Sequence, residues 1–294
     1  MKISIGTNAG KRATGSGMDV GAAAVVLKEV GFDGVDFSMC EYPQTLEWLS
    51  SETAYTTIVS DMQSVLDAGL ELSQCHLPYE FGVPVNCPED YMNYFMPIYK
   101  NCLRACGAAG CPIAVIHLYN EADADRTFET NKALIEELLP VLHENNVILA
   151  IENCYNYSAS GPVQYFGCNV TTADEIMRYV ELFDDPHVAV CLDVGHAAVT
   201  RNNPIKMVHR FGKHLVCLHI HSTAKQDNHC IPGTNPAWLE RVKWEDFSAA
   251  LSEIGYTGTY NLEVGFYNLP PLVGEAYLRF AAAVARAYAD ITDL

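Results

Sequence analysis

The strongest constraint on this chain is a rhythm. Eight short apolar runs recur along it: ISIGT (3–7), GVDFS (34–38), LSQCH (72–76), IAVIHL (113–118), VILAIEN (147–153), VAVCLD (188–193), LVCLHI (215–220) and TYNLEV (259–264). They are rich in Val, Ile and Leu, as strands buried on both faces of a parallel sheet must be. Segments with helical spacing follow them, at 18–31, 52–69, 88–110, 126–146, 172–183, 203–212, 244–255 and 274–291. Ser, Thr, Asp, Asn or Pro at their starts and Gly at several ends are the expected start and stop signals. Eight strand–helix repeats, with no second composition zone and no Pro/Ser-rich linker, predict an α/β protein: one (β/α)8 TIM barrel over residues 1–294. A doubly wound sheet shares the alternation but usually has fewer strands. Length agrees, since such barrels typically run to about 250 residues and tolerate insertions.

In a barrel the loops that follow the strands share one face, where active sites are built. Four of them are long, at 8–17, 77–87, 154–171 and 221–243. The third, CYNYSASGPVQYFGCNVT, is polar and aromatic. The strands that feed this face finish unusually. Strand three ends at His76, strand four at His117 and strand five at Glu152. Strand six ends at Asp193 with His196 just beyond, strand seven at His219 with His221 two residues on, and strand eight at Glu263. Each has a plain structural explanation. Asp193 could cap a following helix with His196 in its first turn. A single strand-end histidine is more often a hydrogen-bonded pocket residue than a ligand. Six consecutive strands ending this way are harder to explain singly. Buried carboxylates close together are costly unless something positive neutralises them. A divalent cation does so, and accepts oxygen and nitrogen ligands together.

Glu152, Asp193, His219 and Glu263 make a candidate site of three carboxylates and one histidine, suited to Mn²⁺ or Co²⁺ and able to hold Zn²⁺ or Mg²⁺. Asp227 and His229, in KQDNHCIPGT, read alone as a turn; beside His196 they offer a further metal position. Cysteine zinc sites are not expected. The eleven cysteines include no CxxC pair, and Cys102 and Cys106 sit one helical turn apart without a partner pair. They read as buried thiols of a reducing compartment. No run of about 18 apolar residues predicts a membrane span, and MKISIGTNAGKR lacks the apolar core of a signal peptide. The expectation is a cytoplasmic protein, in which the sequons at Asn156 and Asn169 carry no meaning. The formal charge of −18 disfavours nucleic acid as partner.

With these pieces in order, the chain resembles the xylose isomerase-like barrel superfamily of sugar isomerases, sugar 3-epimerases, inosose-type enzymes and endonuclease IV. The matching pieces are HLPY (76–79), VIHL (115–118), IEN (151–153), LDVGH (192–196), LHIH (218–221), DNHCIPGT (227–234) with Trp244, and LEV (262–264). Each is weak alone; their order and their strand-end positions carry the resemblance. It implies a divalent-metal-dependent sugar, sugar-phosphate or inosose isomerase or epimerase. The metal would be held by Glu152, Asp193, His219 and Glu263. Glu152 and Glu263 would double as the catalytic acid/base pair, passing a proton through a metal-stabilised enediolate. His76, His117, His196 and His221 are candidates for binding the sugar or polyol. A homo-oligomer is possible, but no interface is readable.

Two rivals stay open. The nine metal ligands of endonuclease IV match His76, His117, Glu152, Asp193, His196, His219, Asp227, His229 and Glu263, and Tyr79 matches as well. On that reading His76, His117, His196, Asp227 and His229 hold additional zinc, and the substrate is abasic DNA. Against it stand the acidic charge, and Ile220 and His221 where that family carries an asparagine then an aspartate. The basic residues near the mouth are few: Lys11, Arg12, Arg201, Lys225, Arg241 and Lys243. They would bind a phosphorylated sugar or simply solvate loops. The other rival is a non-catalytic sugar-binding barrel, which would not need two potential bases.

Overall fold

The structure, a computed structural model, describes residues 1–14, 19–79, 87–157, 165–167, 170–224, 226–265 and 269–291. Its elements run in the order β1 (Ile3–Gly6), α1 (Thr7–Thr14), α2 (Val20–Val30), β2 (Gly34–Ser38), α3 (Leu46–Leu49), α4 (Glu52–Asp67), β3 (Glu71–His76), α5 (Pro88–Ala109), β4 (Ile113–Ile116) and α6 (Ala124–Asn145). Then come β5 (Ile148–Glu152), β6 (Tyr155–Tyr157), β7 (Tyr165–Gly167), α7 (Ala173–Phe183), β8 (Val188–Asp193), α8 (Val194–Val199), α9 (Pro204–Phe211), β9 (Leu215–His219), α10 (Trp244–Glu253), β10 (Tyr260–Leu262) and α11 (Pro271–Ala289).

Eight strands pair in parallel in the order β10-β1-β2-β3-β4-β5-β8-β9. The ends of that sheet meet. Ile220 bridges Leu262, and Ile220 exchanges backbone hydrogen bonds with Asn261 and Glu263 at 2.9 and 3.0 Å. The result is a nearly closed, single-domain (β/α)8 barrel, as the strand–helix rhythm predicts. The helices start where their caps allow. Asp19, Ser51, Thr172 and Asn203 each accept a first-turn backbone N–H, and Thr172 with Glu175 forms a full capping box. No helix among the described residues is long and apolar enough to cross a membrane.

Two segments depart from expectation. The stretch after β1 is not a loop: α1 occupies Thr7–Thr14. Ala9 and Ala13, one turn apart, are buried there, and a Cβ on Gly274 of α11 would lie 1.9 Å from the Ala13 carbonyl oxygen. The helix forms because tertiary packing buries an alanine stripe too short to stand out in sequence. In the 154–171 loop, β6 and β7 pair as a small antiparallel hairpin. Asp193 caps the short helix α8 that follows at once, in line with the capping reading of LDVGH.

Strand alternation explains what lines the barrel. Val115, Ala150, Cys191 and Cys217 pack together inside it. Two residues further on, on the same face, come His117, Glu152, Asp193 and His219. The opposite wall is polar. Ser4, Asp36, Gln74 and Asn261 are all buried there and bonded to one another.

Candidate metal and active site

At the C-terminal mouth, six histidines (His76, His117, His196, His219, His221 and His229) meet five acids (Asp36, Glu152, Asp193, Asp227 and Glu263). A cavity of about 520 Å³ opens above them. His76, His117, Glu152, His196, Asp227, His229 and Glu263 line it, with Tyr79, Tyr155 and Arg12. Arg12 is the one lysine or arginine among the described lining residues, and its guanidinium lies 3.1 Å from Glu41.

Glu152 is the hub. Its Oε2 lies 3.0 Å from His117 Nε2, 3.2 Å from His219 Nδ1 and 3.4 Å from His76 Nε2; Oε1 lies 3.2 Å from His196 Nδ1. Burial alone would push this carboxyl up. The neighbouring charges of His219 and His117, with hydrogen bonds from His117 and His196, hold it well below the usual range instead. His219 answers in the other direction: burial lowers its pKa, and Glu152 and Glu263 raise it well above the ordinary value. His229 is likewise pushed down by burial and up by Glu263 and Asp227, to about 10.

The histidines are held in a telling way. His76 gives Nδ1 to the Leu77 carbonyl at 2.8 Å, His196 to that of Asn153 at 2.9 Å, and His229 to that of Glu263 at 2.9 Å. His219 is turned over. Its Nε2 faces Asp36 Oδ2 at 2.9 Å, and its Nδ1 points at the acids. Tautomers assigned from these bonds leave one ring nitrogen of each histidine as a lone pair aimed into the cluster. That is how metal-ligating histidines are oriented.

Two ligand sets result. Donor atoms of Glu152, Asp193, His219 and Glu263 all lie within 4.8 Å of one another, and so do those of His196, His221, Asp227 and His229. His76, Glu152 and His219 form a third, overlapping group. The first set fits a cation. His219 Nδ1 and Glu263 Oε2 are buried and make no hydrogen bond, although they lie only 3.4 Å apart. Two buried donor atoms converging with no hydrogen-bond partner are what a divalent ion, taking the place of a proton, would satisfy. The second set is richer in nitrogen. His221 and His229 stack with ring centroids 4.0 Å apart, and His221 Nε2 sits 3.2 Å from Asp193 Oδ2 and 3.5 Å from Asp227 Oδ1.

The structure therefore brings together every candidate ligand, acid/base and sugar-binding residue named from sequence, with different exposures. His76, His117 and His196 line the cavity, where a substrate could reach them. His221 does not; it is fully buried behind Asp193 and Asp227. A Cβ on Gly195 would fall 1.8 Å from its ring, so only glycine allows α8 to pass so close. Asp193 does two things at once. Oδ1 caps α8 by accepting the His196 N–H at 2.5 Å, and Oδ2 faces His221. Of the basic residues expected near the mouth, Arg12 lines the cavity and Lys11 does not; Arg201, Arg241 and Lys243 line a separate one, and Lys225 lies outside the described residues, as does sequon residue Asn169.

Two contributors escaped the sequence reading. Asp36 lies in the middle of β2 and orients His219 while accepting from Gln74 at 2.8 Å. An acid inside the apolar run GVDFS was the available signal. Asn153 locks the ends of β5 and β8 together: its amide donates to the Asp193 carbonyl and accepts the Asp193 N–H, both at 2.8 Å. It was visible only as the last letter of IEN.

The family model described as xylose isomerase-like TIM barrel matches residues 23–283, and the chain belongs to that family. An uncharacterized protein of Sinorhizobium fredii (strain NBRC 101917 / NGR234) is 24% identical over 174 residues, covering 56% of this chain and 51% of that protein. A mannonate dehydratase of Endomicrobium trichonymphae is 29% identical over 105 residues, covering 35% of this chain and 28% of that one. The chain thus spans about half of the first relative and less of the second. Among solved structures, a 3-keto-D-glucoside 4-epimerase from E. coli superposes with a TM-score of 0.71 at 16% identity, covering 98% of this chain and 99% of that one.

Proposed function

We propose that this protein is a divalent-metal-dependent isomerase or epimerase of a keto-sugar or related polyol. The observation that carries the reading is the convergence of Glu152, Asp193, His219 and Glu263, of which Glu152 and Glu263 line one polar cavity. The donor set suits Mn²⁺, Co²⁺, Zn²⁺ or Mg²⁺. When bound, such an ion polarises the substrate carbonyl and stabilises the enediolate formed by loss of the adjacent proton. The chain's own residues do the rest. Glu263, with a side chain one-third exposed, is the freer base and takes the proton from carbon. Glu152, fully buried and shared among four imidazoles, is the partner on the other side: it delivers to carbon a proton drawn from the His117 or His196 imidazole beside it, while Glu263 keeps the one it took. His76, His117 and His196 hold substrate oxygens. Tyr79 and Tyr155 narrow the mouth, Tyr155 donating to Asp227 at 3.0 Å. The sugar-epimerase name among the structural neighbours is in keeping with this reading.

The test is deuterium exchange. Ketoses, 3-keto-sugars and inososes are incubated with metal-loaded protein in D2O and followed by NMR. Stereospecific exchange at the carbon beside the carbonyl, lost in Glu263→Gln, supports the reading. Absence of exchange across that panel contradicts it.

One observation favours a second reading. His76 and His117 both abut Glu152 Oε2, with the His196–His221–Asp227–His229 set beside it, so these residues would hold further zinc ions if any bind. A polynuclear zinc site of that kind hydrolyses phosphodiesters. The lining argues for the sugar, because phosphate backbones demand lysine and arginine, and among the described lining residues the one such group, Arg12, is already paired with Glu41. Cleavage of an abasic duplex by the zinc-loaded protein would reverse that choice.

A further inference from the structure

A second cavity, of about 360 Å³, lies outside the barrel mouth, between the end of α8, the start of α9 and the segment leading into α10. Its walls include Arg201, Arg241 and Lys243, and none of its described lining residues is acidic. That is unexpected in a chain with 36 acids and only 18 lysines and arginines. Neither Arg201 nor Arg241 has an ion-pair partner among the described residues, and Lys243 meets only Asp246, at 3.6 Å between two well-exposed groups. Three like charges around one concavity raise its potential and call for a counter-ion.

The backbone enforces this grouping. Arg201 follows α8 in the left-handed region (φ 63°), where its N–H returns to the Ala198 carbonyl at 3.2 Å. Arg241 gives Nη1 to the same carbonyl at 3.2 Å. Its neighbour Glu240, the acid that would cancel it, is turned away. Glu240 Oε2 takes the Ser222 hydroxyl at 2.6 Å, and Oε1 takes the Arg241 and Val242 N–H groups at 3.1 and 3.4 Å. The α9 helix opens at the same wall, with Asn203 as its cap, so the positive end of its dipole adds to the field. Guanidinium forks suit tetrahedral oxyanions.

We propose that this cavity is a binding site for a phosphoryl group, distinct from the catalytic mouth. The group is either free orthophosphate or the phosphate of a phosphorylated metabolite. The site does not depend on the metal chemistry assigned above.

Calorimetric titration of the metal-loaded full-length chain with inorganic phosphate, at constant ionic strength, tests it. One saturable site is expected. It should weaken about tenfold in Arg241→Gln and again in Lys243→Gln, one charge-assisted hydrogen bond being removed each time. Metal content and melting temperature should be unchanged, and Lys243, largely solvated, serves if Arg241→Gln misfolds. Titrating fructose 6-phosphate beside D-fructose separates the sources. Tighter binding of the sugar phosphate than of phosphate, through the same residues, identifies an organic phosphate; equal affinity identifies the free ion. No saturable binding overturns the proposal. So does binding that both variants retain, since it places the phosphate at the barrel mouth.

Discussion

The two ligand sets at the mouth share one floor and differ in chemistry. The first, Glu152, Asp193, His219 and Glu263, is three parts carboxylate and grows from strand ends. The second, His196, His221, Asp227 and His229, is three parts imidazole; it is built from α8 and the segment after β9. Strands hold atoms more rigidly than loops, and oxygen-rich sets favour Mn²⁺ or Mg²⁺ where imidazole-rich sets favour Zn²⁺. On the proposed reading, the strand-borne set is the one suited to proton transfer. On the same reading the other set would suit a softer ion, with His196, Asp227 and His229 facing the cavity and His221 buried behind them. Asp193 belongs to the first and touches the second through His221, so the two are coupled but separable.

The largest effect that would break this division is on turnover. Glu263→Gln and Glu152→Gln should each slow exchange at carbon by about 10²–10⁴-fold, the usual contribution of general acid–base catalysis. Far-UV circular dichroism should be unchanged. Retained activity in either variant removes the acid/base assignment. Next, His229→Ala should empty the imidazole-rich set while leaving the carboxylate-rich one occupied, read by elemental analysis per chain. Loss of all metal from that variant would make the two sets one site.

A smaller effect is expected one layer out. Asp36→Asn keeps the shape but no longer presents a carboxylate to His219. Metal affinity should fall by about 10–100-fold, measured by competition with a chelator. An unchanged affinity would make Asp36 merely structural. Least, Gly195→Ala forces the His221 ring aside and should cost about 1–3 kcal/mol of stability, as overpacking does. Thermal unfolding would show it, together with a loss confined to the second set.

Much of this was legible in the order of residues because ligands and architecture share a period. Apolar runs of strand length mark the barrel, and the polar residue that closes each run marks the mouth. His76, Glu152, Asp193 and His219 are the last residues of their strands, and His117 and Glu263 stand one beyond theirs. What escaped depends on contacts distant in sequence. Asp36 acts on His219, 183 positions away. The ring of His221 is buried only because Gly195 lets α8 pass against it. Whether a strand-end histidine faces the cavity or hides behind its neighbours is a matter of packing, and no local pattern encodes it. The α1 helix was missed for the same reason: its two buried alanines gain their meaning from α11.

The most direct test of the central claim is the metal content of the purified chain beside that of Asp193→Ala, after reloading each with Mn²⁺, Co²⁺, Zn²⁺ and Mg²⁺ in turn. The account predicts tight binding of at least one of these ions by the native chain, and its loss from the carboxylate-rich set in the variant. A native chain that retains none of the four, or a variant that retains them all, would contradict it.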